Sequence, residues 1–248
     1  MQTKQILTAL ALLVAGVAVF GFLSSRTTPI AQQTAPEVVP ASTHTEEGPY
    51  MSIKVEYPEA PTGIRTQIER GMGEVVNTFK ANASVDTLTP EDIELFGLGD
   101  TRKFALGAEY KRFDAPGYTS YAYLIYEDTL GAHPNVNFKT FVFDAEGNLI
   151  TLNQLLSSNP QWLEELSLEV STQVVAEVKK RFADSLPQGE EGPDVTGAVF
   201  VEGLAPVESN FQNFVIDGEE LVILIPPYQV AAYAAGVFEA RVPLAGLQ

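Results

Sequence analysis

Residues 118–144 read YTSYAYLIYEDTLGAHPNVNFKTFVFD, and their pattern decides the fold. In the first half Tyr121, Tyr123 and Ile125 alternate with Ala122, Leu124 and Tyr126. In the second half Phe138, Lys139, Thr140, Phe141, Val142 and Phe143 run without a break. Period-2 runs rich in Tyr, Phe, Val and Thr predict strands, because side chains alternate across a pleated backbone. Gly131-Ala132-His133-Pro134-Asn135 interrupts them, and Gly and Pro punctuate chains at turns. The stretch therefore predicts strand, ordered loop, strand, with His133 in the loop.

Upstream, Met51, Ile53, Val55 and Tyr57 alternate and predict a strand that stops at Pro58. Ile64, Ile68, Met72, Val75, Val76 and Phe79 then recur at helical spacing, which predicts an amphipathic helix over 63–82 with Thr62 near its start. Thr89-Pro90-Glu91-Asp92 has the chemistry of a short helix N-terminus. Phe104, Leu106, Ala108 and Tyr110 predict another strand over 103–113.

Downstream, Ala145-Glu146-Gly147-Asn148 is a tight turn. Leu163, Leu166, Val170, Val174 and Val178 share a helical face, which predicts a second helix over 160–183. Residues 184–197 carry Pro187, Gly189, Gly192 and Pro193 and read as an exposed loop. Asp217-Gly218 between two apolar runs is a hairpin signal. Pro226-Pro227 ends that strand, and a last strand spans 237–244. Strands joined by short turns, with two main helices, predict an α+β fold with a largely antiparallel sheet. Its two strand–helix–strand segments suit either one body or two subdomains.

The N-terminus is different. Residues 6–23, ILTALALLVAGVAVFGFL, carry no charge, follow Lys4 and precede no A-x-A cleavage pattern. They predict one N-terminal membrane helix, with a cleaved signal peptide as the alternative. Residues 1–4 are then a cytoplasmic stub and 5–25 the anchor, and the rest of the chain is exported. Residues 26–49 are rich in Ser, Thr, Pro and Gln and show no apolar period, so they read as a flexible spacer, with His44 idle in it.

Composition narrows the chemistry. The chain has 248 residues, 45% of them hydrophobic, enough for a sizeable core. Its formal charge is −17, the wrong sign for nucleic acid and the right one for a cationic partner. Cysteine is absent, so disulfides, thiolate nucleophiles and Cys-ligated metals are excluded. Phosphate-loop, nucleophile-elbow and HExxH motifs are lacking, and Asp144, Glu146 and Asn148 lack the spacing of a calcium loop. Neither a cofactor nor a metal is expected. A Ser–His–Asp triad could draw only on His133, and Ser120 lies on the preceding strand with no elbow around it. His133 reads as a loop pin, a partner contact or a catalytic group. Tyr126, Tyr228 and Tyr233 read as core or as contact residues, since Tyr joins an apolar body to a polar tip.

Two stretches carry a resemblance. One is the aromatic strand with Gly131-Ala132-His133-Pro134-Asn135 and the strand that follows. The other is Leu224-Ile225-Pro226-Pro227-Tyr228-Gln229-Val230-Ala231-Ala232-Tyr233-Ala234-Ala235-Gly236, followed by Val242-Pro243. Together they resemble the extracytoplasmic domain of uncharacterised function shared by RsiV-type anti-sigma factors and the non-catalytic part of PdaC-type peptidoglycan deacetylases. The resemblance spans about residues 50–247. It implies an N-terminal subdomain over 50–113 and an RsiV-like C-terminal domain over 114–248. In RsiV-type members that domain is a receptor for lysozyme. The expectation is nonetheless a departure from both relatives, with a stub over 1–4 too short to hold a sigma factor and no deacetylase domain expected after residue 248.

The expectation is a non-enzymatic, membrane-anchored ectodomain that contacts a cell-wall glycan or a lysozyme-like cationic protein. His133, Asn135, Tyr126, Tyr228 and Tyr233 are the candidate contacts. The alternatives are an exported hydrolase using His133, or a structural envelope protein.

Overall fold

The computed structural model describes residues 37–99, 102–185 and 199–248. In chain order the strands are β1 (Val38–Val39), β2 (Ser42–Glu47), β3 (Met51–Tyr57) and β4 (Ala60–Pro61). Helix α1 (Thr62–Ala83) and the short α2 (Pro90–Phe96) follow. Next come β5 (Phe104–Ala115), β6 (Tyr118–Asp128), β7 (Asn135–Asp144), α3 (Leu152–Leu156) and α4 (Trp162–Ser185). The chain ends with β8 (Phe214–Asp217), β9 (Glu220–Ile225) and β10 (Phe238–Pro243).

Five strands form one sheet in the order β2-β3-β5-β6-β7, and three form another in the order β10-β9-β8. Every pairing is antiparallel except β3 with β5, which α1 connects as a crossover. The fold is the expected α+β class. The strand at 118–128 and its partner at 135–144 pair over their whole length, with Tyr121 opposite Phe141 and Leu124 opposite Phe138.

Alternation along the strands builds a helix–sheet–sheet–helix stack. Tyr121, Tyr123, Ile125, Phe141 and Phe143 turn one face of the large sheet onto Ile64, Ile68, Met72 and Phe79 of α1. Phe113 and Ala122 turn its other face onto Val215, Val222 and Leu224 of the small sheet. The far face of the small sheet, with Ile216, Ile223, Ala240 and Val242, packs on Leu166, Val170, Val174 and Val178 of α4. Gly71 lets α1 lie close to the sheet, since a Cβ there would sit 2.7 Å from the Phe141 ring.

Local chemistry sets the ends of the elements. Thr89 and Asp92 form a reciprocal capping box at α2, and Gly97 ends that helix at φ +63°. Thr151 and Gln154 make the same box at α3, a helix the apolar period does not reveal because it is a single turn.

The two sheets are joined by side chains. Phe214 and Ile216 lie on the edge strand β8, and their N–H groups point away from β9. The Phe214 N–H donates to Thr140 Oγ1 at 3.1 Å, and the Ile216 N–H donates to Ser120 Oγ at 3.1 Å. Ser120 is wholly buried. It is a structural bridge between sheets, with its hydroxyl already committed.

The expected spacer over 26–49 differs from the structure: residues 38–39 and 42–47 are strands, and β2 pairs with β3 from Ser42–Tyr57 to Glu47–Ser52. The reason is polar rather than hydrophobic, which is why no apolar period marks it. Buried Arg65 on α1 donates to the carbonyls of Pro40 and Pro58 at 2.9 Å each and to Ser42. Both the N–H and the hydroxyl of Thr62 donate to Glu37 O. Lys80 and His44 both reach the Glu46 carboxylate, at 2.6 and 2.8 Å, so His44 is not idle. The expected boundary at 113/114 falls inside β5, and the described residues form one compact unit. The apolar run 6–23 and most of the 184–197 loop lie outside the described residues. Among the described residues no helix is long and apolar enough to cross a membrane.

Replacing Ser120 by Ala leaves the Ile216 N–H buried without a partner, and Ser120→Ala should lower stability by about 1–3 kcal/mol in urea denaturation. A second expectation concerns pH. Hydrogen bonds from Lys80, then from His44, hold the Glu46 carboxyl below its ordinary range. Its contribution is therefore complete above that range and is lost as pH falls through the depressed folded value. The melting-temperature gap between the native chain and Lys80→Met should be largest at neutral pH and should narrow as the pH falls through the carboxylate range.

Candidate functional site

Three of the expected contact residues meet in space. The β6–β7 loop carries His133, and the β9–β10 loop carries Tyr228 and Tyr233. The His133 ring stacks on Tyr233 with centroids 3.7 Å apart and planes 19° from parallel. Tyr228 tilts against both rings, 5.9 Å from His133 and 5.5 Å from Tyr233. The Tyr233 hydroxyl donates to Pro134 O at 2.8 Å, which ties the two loops together.

The hydrogen bonds fix the histidine tautomer. His133 Nδ1 lies 3.0 Å from Pro134 O, a carbonyl that can only accept, so Nδ1 carries the proton of the neutral ring. Nε2 then offers a lone pair, and the Tyr228 hydroxyl, 2.9 Å away, donates to it. With both ring nitrogens and one ring face engaged, His133 acts here as a pin between loops. Tyr228 is 54% exposed, whereas His133 and Tyr233 are half-buried, so its ring is the most exposed part of the cluster.

Both loops are held in unusual backbone conformations. Leu130 has φ +66° and Tyr228 φ +69°, a region that non-glycine residues seldom enter. The Leu130 N–H donates to Asp128 Oδ1 at 2.8 Å. On the other side, Gln229 Nε2 donates to Gly203 O at 3.0 Å and to Asn210 O at 2.8 Å. Gly203 is obligatory for this contact, since a Cβ there would lie 1.8 Å from the Gln229 carbonyl oxygen. Gly203 is signalled by neither motif nor periodicity, and although Gln229 lies in the 224–236 motif, its pairing with Gly203 depends on loops brought together by the fold.

The other two expected contacts stand apart from the ring cluster. Asn135 is exposed at the start of β7, opposite Glu127, whose carboxyl is raised above its ordinary range by burial. Tyr126 is 42% exposed on β6 opposite Val136, with Leu124, 47% exposed, two residues before it on the same face. That face borders a groove of about 510 Å³ between the sheets, lined by Lys111, Phe113, Leu124, Phe138, Arg181 and Val237 among others. Arg181 of α4 shapes its wall: the guanidinium lies 4.2 Å over the Phe238 ring and donates to Val237 O at 3.0 Å. Among the described residues no group of three or more His, Cys, Asp or Glu side chains is placed to hold a metal ion.

Comparisons with known proteins agree with this architecture. Residues 153–245 match the family described as "Protein of unknown function (DUF3298)". A search of the curated proteins finds no match. Among solved structures, the chain is similar to a DUF3298 family protein from Pseudomonas aeruginosa PAO1, with TM-score 0.56 and 14% identity over 84% of this chain and 90% of the other. It is also similar to a member of the same family from Bacteroides fragilis NCTC 9343, with TM-score 0.51 and 13% identity over 85% and 92% of the respective chains. At such identities the likeness concerns the fold. The match over 153–245 covers α4, the small sheet and the loop carrying Tyr228 and Tyr233.

Because His133 links the loops through its hydrogen bond with Tyr228 and its stack on Tyr233, His133→Ala should lower stability by about 1–2 kcal/mol in thermal or urea unfolding. Gly203→Ala should instead displace the 226–230 loop. In that variant the nuclear magnetic resonance signals of Tyr228 and His133 shift together while those of α1 stay in place.

Proposed function

We propose that this chain is a membrane-anchored, extracytoplasmic recognition domain that contacts a cell-wall glycan or a cationic protein such as lysozyme. The observation that carries this reading is the exposed Tyr228 ring, braced by His133 and Tyr233 on two interlocked loops. A pinned aromatic ring with a polar tip suits contact with sugar faces and protein side chains, since little side-chain freedom remains to be lost on binding. The charge of −17 favours encounter with a basic partner. The uncharged run 6–23 supports attachment to a membrane and export of the remainder.

A hydrolase is less well supported by the geometry. Both His133 nitrogens are occupied by Pro134 O and Tyr228, and the hydroxyl of Ser120 is buried beneath β8.

The test uses the full chain in detergent micelles, since a fragment beginning at residue 49 would lack β2. Saturable binding to hen lysozyme or to soluble peptidoglycan fragments is expected by titration calorimetry. Tyr228→Ala should weaken it at least about tenfold, as for an exposed anchor residue. Absence of binding to either, by folded protein, overturns the proposal, as does Tyr228→Ala binding as tightly as the native chain.

A further inference from the structure

The strand edges of this fold are treated unequally. An edge strand presents unpaired N–H and C=O groups, and stable proteins cover or charge them. On β8 the outward N–H groups of Phe214 and Ile216 are taken by Thr140 and Ser120. On β10 the side-chain amide of Gln173 clasps Arg241, accepting from its N–H at 2.9 Å and donating to its C=O at 2.8 Å. On β2 the edge carries His44, Glu46 and Glu47. The far half of β7 is covered as well: Ile150 N donates to Val142 O, and Asp144 N donates to Asn148 O.

Those last two bonds fix which groups of β7 face outward. They belong to Val142 and Asp144, so the even-numbered residues turn their backbone away from β6. By the same alternation the N–H and C=O of Val136 and Phe138 face outward, and neither residue has a partner on that side among the described residues. Asn135 to Phe138 carries no charge. The edge that elsewhere is capped or charged is here bare.

The side chains indicate what would pair with it. Val136 lies opposite Tyr126 and Phe138 opposite Leu124, giving a row of apolar cross-strand pairs on the groove side. Tyr126 and Leu124 remain 42% and 47% exposed. A further strand would extend that row with its own alternate side chains. Carboxylates flank the edge. Glu127 sits opposite Asn135, with Asp128 next to it, and Lys139, the cation that follows Phe138, is met by Glu74 at 3.9 Å. A second copy of this chain would bring its own charge of −17 to that edge, which disfavours self-pairing.

We infer that the Val136–Phe138 edge of β7 is a docking site for an extended peptide segment of a basic partner protein, apolar at alternate positions, which adds a sixth strand to the large sheet. This deepens the recognition reading of the preceding section by naming a peptide strand as an occupant, and it rests on that reading.

The probe is a blocked heptapeptide of alternating lysine and valine, added to the full chain in detergent micelles. Amide exchange at Val136 and Phe138, read by nuclear magnetic resonance, should slow by about tenfold or more at saturation. Methylating alternate backbone nitrogens of the peptide should abolish both protection and binding. Val136→Pro removes one outward N–H and leaves the ladder with β6 intact, so it should weaken binding while the melting curve holds. Should that variant fail to fold, the methylated peptide still decides the matter.

Binding with no protection of Val136 and Phe138, equal binding of the methylated peptide, equal binding of an aspartate–valine counterpart, or no binding at millimolar peptide each overturns the inference. If the edge stays unprotected while Tyr228→Ala abolishes lysozyme or glycan binding, this inference falls and the recognition reading stands. If the edge is protected while Tyr228→Ala leaves lysozyme and glycan binding unchanged, the Tyr228 reading falls and the edge site stands.

Discussion

Two hydroxyl groups set the geometry on which the rest of this molecule depends. Sheets that pack face to face are ordinarily held by apolar contact, which is non-directional and tolerates sliding. Here Ser120 and Thr140 accept hydrogen bonds from consecutive outward N–H groups of β8. Those groups are buried, so any shift that breaks the bonds leaves an unpaired donor out of water, at a cost of about 1–3 kcal/mol each. The small sheet is thereby locked to one end of the β6–β7 pair. About 13 Å along the same strands, four residues on at roughly 3.3 Å each, Leu124 and Val136 lie beyond that lock. The partly exposed Leu124 and Tyr126 lie toward the other end of the pair, where loops of the two sheets meet through His133, Tyr228 and Tyr233.

The elements that periodicity announces are those whose burial is apolar. The β6–β7 pair, α1, α4, the Asp217-Gly218 hairpin and the last strand follow from side chains that point into one of three apolar clusters. What the pattern misses is held by polar contacts between residues distant in sequence. The 38–47 segment owes its order to Arg65, Thr62 and Lys80, which lie 15 or more residues away. A Pro- and Ser-rich stretch carries no sign of a guanidinium waiting to bind its carbonyls. The parallel pairing of β3 with β5 is similarly silent, since alternation specifies a strand's faces and not its neighbour. At the candidate site, the residue types of His133, Tyr228 and Tyr233 were suggestive in sequence, whereas their meeting depends on loops 95 residues or more apart.

One buried group sits against the general rule. Tyr123 is fully buried and its hydroxyl has no hydrogen-bond partner among the described residues. Burial pushes its phenol pKa far upward, so it stays neutral. Its ring makes an edge contact with Phe141 at 6.0 Å and a tilted one with Tyr110 at 5.8 Å. The aromatic packing beneath α1 is therefore what the residue contributes, and its oxygen works against that contribution.

The loops carrying Leu130 and Tyr228 show the opposite balance, with backbone strain held by specific contacts. Leu130 and Tyr228 both hold positive φ, a conformation costing about 1–3 kcal/mol each for such residues. A free loop would relax. These do not, because specific hydrogen bonds hold each in place. Asp128 takes the N–H of Leu130. Gln229 ties the Tyr228 loop to Gly203 and Asn210, and His133 takes the Tyr228 hydroxyl. The surrounding bonds leave Tyr228 little to lose in conformational entropy when something is placed against it, which is the physical condition for an exposed ring to bind rather than merely to be exposed. The strain is sustained by these contacts, and the Tyr228 ring is the most exposed of the three rings they hold.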